Sequence, residues 1–263
     1  MIKALFTSAT GMNAQQLVVD NTANNLANVN TTGFKKSQAD FNDLIYITLR
    51  TPGSESAQGL QVPNGLQIGS GVRVAGTTKL FSEGVLENTG NPLDVAIEGD
   101  GFLQVTLPDG SIRYTRDGSL HKNQSGQLVN TDGFLISPQV TIPSDALSVD
   151  IGTDGTISIV SAGSPNTSKQ IGQLQVARFV NPAGLSSMGN NLFAETGSSG
   201  TAVPTTPSQN GAGSIRQAFL ERSNVDVVAE LVNLILAQRA YEFNTRAVRT
   251  ADEMLSDTNN LTR

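Results

Sequence analysis

The chain contains no cysteine and no tryptophan, one histidine, and only 10 phenylalanines and 3 tyrosines in 263 residues. Without cysteine there is no disulfide framework, no thiolate metal site and no cysteine nucleophile. A single histidine leaves the usual zinc sites and histidine-based triads short of components. Positive charge is scarce as well. The 17 Lys and Arg against 23 Asp and Glu give a net charge of −6, which argues against nucleic acid, whose phosphates require clustered cations. Long apolar runs are also missing. Leu231–Ala237 is interrupted by Asn233 and falls far short of the roughly 20 residues that span a bilayer, so the chain is not expected to be membrane-embedded. The opening residues hold one lysine and no continuous apolar h-region, which predicts a cytosolic protein or one exported without a cleaved signal.

What is present is concentrated at the two ends. Leu5, Met12, Val19 and Leu26 fall seven apart, with Ile2, Ala9, Gln16 and Ala23 as the flanking row. Together they form the narrow apolar stripe of a coiled-coil seam, with Gln16 its one polar member. Asn28 to Gly33 supplies a helix stop, with Gly33 able to adopt the left-handed conformation. At the other end, Ser223 or Asn224 caps a second helix, on which Val227, Leu234, Tyr241, Val248 and Leu255 again fall seven apart. Ala240, Ala247, Met254 and Leu261 lie in the adjacent row, and Ala237 and Ala251 in the next. This face is wider, and its alanines admit close approach by other helices. Burial of the two stripes together leaves the helix pair marginal against the cost of ordering it, so the terminal helices are expected to order on assembly with other chains.

Between the ends, short alternating runs bounded by turns read as strands, among them Val72–Val74, Asp94–Ile97, Phe102–Leu107, Gln127–Val129, Phe134–Ile136, Thr156–Val160 and Gln173–Val180. Asp-Gly pairs at 100–101, 109–110, 117–118, 132–133 and 154–155 mark turns. Residues 51–65, 161–168 and 197–211 are polar and turn-rich and read as loops. The expected class is α+β, divided into an N-terminal helix (1–33), an extended linker or hairpin (34–70), an antiparallel β domain (71–215) and a C-terminal linker and helix (216–263).

No chemistry-bearing cluster stands out. Asp117, Ser119 and His121 share a strand face but point in parallel, and no nucleophile elbow accompanies them. Glu98, Asp100, Asp150 and Asp154 lack the acidic ladder of a calcium loop and read as turn residues. Lys35 and Lys36 read as a solvated helix end. Neither an enzyme nor a cofactor or metal site is expected.

Three long segments carry a family resemblance. Asn24-Asn-Leu-Ala-Asn-Val-Asn-Thr-Thr-Gly-Phe-Lys35 resembles the N-terminal signature of the bacterial flagellar rod and hook proteins, with Asn25, Leu26, Asn28, Gly33 and Phe34 its central residues. Ser223–Asn233 followed by Ala237–Asn244 and Thr250–Leu255 resembles the C-terminal signature. Glu83–Phe102 and Tyr114–Ser119 resemble the middle. Length and the segment 46–69 are most similar to the distal-rod branch. The resemblance implies a structural subunit whose terminal helices line a narrow channel and whose copies stack helically into a stiff, hollow shaft that carries motor torque to the hook. Implied partners are further copies of the chain, other rod proteins, the hook protein and the surrounding basal-body rings. The implied location is the periplasm-spanning rod, reached through the flagellar type III apparatus. Segment 46–69, with Tyr46, Leu49, Pro52, Gly53, Pro63 and Gly65, is where the resemblance places rod stiffness. The alternatives are a proximal rod or hook subunit within the family, and outside it a secreted β-rich binding or adhesin module oligomerised through its ends.

Overall fold

The structure is a computed structural model that describes residues 2–53, 55–57, 60–61 and 63–261. It is α+β, with helices in contact from the two ends and antiparallel sheets between them. The chain forms two compact units.

The first unit holds residues up to 26, 37–78, and 226 onward. Its long elements are α1 (Ile2–Ala27) and α2 (Val227–Leu261). The cap of α2 is neither Ser223 nor Asn224. It is Asp226, whose Oδ1 accepts from the backbone N–H groups of Val228 at 2.9 Å and Ala229 at 3.1 Å. The two expected caps are occupied elsewhere. Ser223 Oγ accepts from Val225 N, and Asn224 bonds Lys36 N, Leu80 O and Ser82 O in the second unit. Strand Ser37–Asp43 pairs with Val72–Lys79, and an antiparallel hairpin pairs Ile47–Arg50 with Leu66–Ile68.

The second unit holds residues 27–36 and 79–225. Its main sheet runs in the order His121–Lys122, Leu128–Val129, Leu135–Ser137, Phe102–Thr106, Ile112–Thr115, Leu192–Ala194, Ser186–Gly189, with Val176–Arg178 also on Phe102–Thr106. A three-stranded meander of Ala146–Ile151, Thr156–Ser161 and Ser164–Gln173 stands beside it. The stretch 161–168, expected to be a loop, therefore supplies the first half of the strand Ser164–Gln173. Its hydroxyl side chains lie on a solvated face, where alternation of polarity vanishes as a signal. The core is aliphatic, centred on Leu103, Val105, Leu120, Ile157, Leu174 and Val176. A satellite of Phe102, Tyr114, Phe179 and Phe193, with Phe81, packs edge to face.

Burial, then the neighbouring Glu195 carboxylate, pushes the Tyr114 hydroxyl up to about 12. Between about pH 10 and 12 the unfolded chain loses this proton while the native chain keeps it, so stability falls as pH rises through that window. Urea unfolding across the window should show that decline, and Tyr114→Phe should remove it.

Four of the five Asp-Gly turns place glycine at positive φ, at Gly101, Gly110, Gly133 and Gly155. The aspartates act as turn acceptors. Asp154 takes Thr156 N and Oγ1, and Asp117 Oδ1 takes Ser119 N and Oγ. Ser119 is thus held by its own turn while His121 is exposed, and among the described residues no group of acidic or histidine side chains could hold a metal.

Candidate assembly interface

The helices α1 and α2 run antiparallel: Asn25 meets Glu230 near one end, and Met12 meets Thr245 further along. The α2 face in this seam is Glu230, Leu234, Ala237, Tyr241, Asn244, Val248, Ala251 and Leu255, at alternating steps of four and three. Glu230, Ala237 and Ala251 are buried, and Leu234, Val248 and Leu255 half-buried. Of the heptad row read from the sequence, Leu234, Val248 and Leu255 are thus half-buried, whereas Val227 and Tyr241 are exposed. Tyr241 stays 43% exposed at its edge.

On α1 the seam is different from the expected one. Ala14, Thr22 and Asn25 are buried, with Gly11 and Val18 alongside. These small and polar residues let the helices come close. A Cβ at Gly11 would lie 2.9 Å from Asn244 Nδ2, so the missing side chain sets the approach. Asn25 is fixed by bonds to both backbone groups of Ser37, at 2.9 Å each. The apolar row Leu5, Met12, Val19, Leu26 is turned roughly 110° out of this seam and is half-buried. Ala9, Gln16 and Ala23 lie further round and are exposed; the side chain of Ile2 lies outside the described residues. Val19 and Gln16 form one wall of an open groove of about 420 Å³, with Gln238, Tyr241 and Glu242 opposite.

A further uncovered apolar surface is one that periodicity missed. On the first turns of α2, Val228, Leu231, Val232, Ile235, Leu236 and Phe243 are 42–72% exposed. With the seam residues they make this part of α2 apolar almost all round, the signature of a helix surrounded by protein. The uninterrupted run Leu234–Ala237 was the available signal. Val227 and Met254 are exposed too, as is Ala247, and Ala240 is half-buried.

Segment 46–69 is a built hairpin, with Ile47 opposite Ile68 and Arg50 opposite Leu66. Tyr46, Leu49, Pro52, Gly53, Pro63 and Gly65 are all exposed, with the Tyr46 ring against Gly69. Ile45, Leu66 and Ile68 add further exposed apolar surface. Ser54, Gln58, Gly59 and Val62 lie outside the described residues.

In the second unit, the N-terminal motif closes on a buried ionic knot. Lys35, read from sequence as solvated, is 1% exposed. Its Nζ donates to Glu221 Oε1 at 2.5 Å and to Ser82 O at 2.7 Å. Glu221 Oε1 also accepts from Gly84 N, and Arg116 Nε stands 3.0 Å from Glu221 Oε2. Arg116 Nη1 donates to the carbonyls of Gly99 and Gly101. Burial pushes the Lys35 ammonium below its ordinary pKa; Glu221 opposes this and Arg116 adds to it. The misreading has a simple cause: a lysine after a helix end is usually solvated, and its partner lies 186 residues away. Gly33, at φ +67°, turns the chain so that its N–H reaches Glu221 O at 2.8 Å. Asn28 anchors the turn by accepting from Thr31, and Lys79 lies over the Phe34 ring.

Comparison with known proteins places these features. Family models described as "Flagella basal body rod protein", "Flagellar hook protein FlgE/F/G D1 domain" and "Flagellar basal body rod FlgEFG protein C-terminal" match residues 5–35, 96–159 and 216–261. The flagellar basal-body rod protein FlgG of Buchnera aphidicola subsp. Schizaphis graminum is 48% identical over 97% of this chain and 98% of its own length. Those of Borreliella burgdorferi and Bacillus subtilis are 45% and 37% identical, each with full coverage of both chains. With helices, ionic knot and hairpin spread over the whole of that match, this chain belongs to the FlgG family of flagellar basal-body rod proteins.

Proposed function

We propose that copies of this chain polymerise helically through α1 and α2 into the hollow, stiff distal section of the flagellar rod, which carries torque towards the hook. The observation that supports this reading is the uncovered face of α2 from Val228 to Phe243, together with the α1 row Leu5, Met12, Val19 and Leu26. One copy leaves the α2 face exposed and the α1 row only half-buried, and neighbouring copies complete their burial. Contacts of this head-to-tail kind extend into a filament when the rotation does not close. Rod proteins adjoining at either end, the hook protein and the surrounding rings are the partners this role requires. The protein is structural, not an enzyme. The competing reading, a secreted adhesin module, is disfavoured by 48% and 45% identity to rod proteins over nearly the whole chain.

Light scattering against concentration tests the proposal. The full chain should grow without limit above a threshold, and a chain lacking both helices should remain a small defined species. Growth independent of the helices would contradict it.

We assign stiffness to the exposed hairpin and its tip, which would wedge between neighbours and block sliding. Deleting residues 51–63 should leave filaments that form but curve or soften. Straight filaments of unchanged persistence length by electron microscopy would reject this assignment.

A further inference from the structure

We propose that Asn64 is a site of spontaneous deamidation, and that Asn210, in the only other Asn-Gly dipeptide of the chain, is protected by its fold. In this reaction the backbone nitrogen of the following glycine attacks the asparagine Cγ. The new N–Cγ bond forms as the Cγ–Nδ2 bond breaks, and Nδ2 departs as ammonia with the glycine amide proton. Water then opens the five-membered imide at either carbonyl. The product is an aspartyl or isoaspartyl residue, which adds one negative charge per copy. Glycine favours the attack because no Cβ obstructs it and its backbone is the most permissive.

The two dipeptides are chemically alike, so structure decides between them. At Asn210 both residues have positive φ, +50° and +75°, and Ala212 N donates to Gln209 O at 2.8 Å across them. That is the two-residue turn with left-handed central positions, whose ψ near +30° aims the Gly211 nitrogen away from the Asn210 side chain. Arg178 locks this geometry: its Nη1 donates to Asn210 O, and its guanidinium packs against Gly211.

Asn64 has neither the left-handed turn nor the bond that closes it; only its neighbour Gly65 is held, close against Arg50 O and Pro52. Asn64 has ordinary negative φ and is exposed, as are Pro63 and Gly65. Its backbone oxygen accepts only a long 3.5 Å bond from exposed Arg50 Nη2. With Gly65 held in place and no turn bond closing over Asn64, the exposed Asn64 side chain makes the approach, swinging Cγ onto the Gly65 nitrogen. The carboxylate so formed arises beside the Arg50 guanidinium, where opposite charge favours it. The hairpin segment is thus one that changes charge with age.

The test is incubation of the full-length protein in mildly alkaline buffer, followed by peptide mapping with mass spectrometry that separates aspartyl from isoaspartyl products. Conversion at position 64 is expected to run at least about tenfold faster than at 210, the fold-change equivalent to about 1.4 kcal/mol for opening the hydrogen-bonded turn. In concentrated urea the two rates should converge, and Asn64→Gln should abolish the signal at 64. Equal native rates, faster conversion at 210, or no conversion at 64 would each overturn the proposal.

Discussion

Glu221→Gln should destabilise the protein by about 3–5 kcal/mol, the cost of leaving buried charge without its partner. Glu221 is the buried anion that contacts both buried cations. Lys35 and Arg116 both bond it and are 1% and 5% exposed. Glutamine keeps the shape and one acceptor but removes the charge that holds both. Lys35→Met should cost less, because Glu221 retains Arg116 and the Gly84 N–H. That ordering separates the ionic account from loss of packing, since methionine is the larger change in shape. Chemical denaturation of the three proteins reads it directly; equal losses would mean the knot is held by its carbonyl contacts alone.

Ile235→Asp should abolish filament growth while leaving the single copy folded. Ile235 is 56% exposed and sits outside the α1–α2 seam, so a carboxylate there meets water in the monomer. In the assembly the same carboxylate would be driven into an apolar contact, where an unpaired charge is excluded. The threshold concentration for growth should rise by at least about 100-fold, equivalent to about 2.7 kcal/mol per contact. Circular dichroism and thermal unfolding of the dilute protein should stay close to those of the parent. Ala237→Asp supplies the contrast: Ala237 is buried in the seam, so that change should damage the monomer itself.

The class of fold, both terminal helices and the turn at Gly33 were legible from periodicity and turn chemistry, which are local signals. Part of the α2 face was legible for the same reason, because Leu234, Val248 and Leu255 alternate with Ala237 and Ala251 at helical spacing, but the same period also picks out the exposed Val227 and Tyr241. The α1 seam was not. Its packing residues, Ala14, Thr22 and Asn25, are small or polar, and their fit depends on Ser37 and Glu230. Periodicity found the apolar row of α1, and that row is turned out of the intramolecular seam. The buried state of Lys35 was illegible because only the folded chain brings it to Glu221. Strand Ser164–Gln173 was hidden by its polarity, and Asp226 won the cap of α2 because Ser223 and Asn224 bond to other backbone groups.

A helical reconstruction of the assembled filament, at a resolution that places side chains, tests the account most directly. It should show Val228, Leu231, Val232, Ile235 and Leu236 covered by helices of neighbouring copies, with Leu5, Met12 and Val19 in the same packed layer. Filaments in which these side chains face solvent, or touch only residues of their own copy, would contradict it.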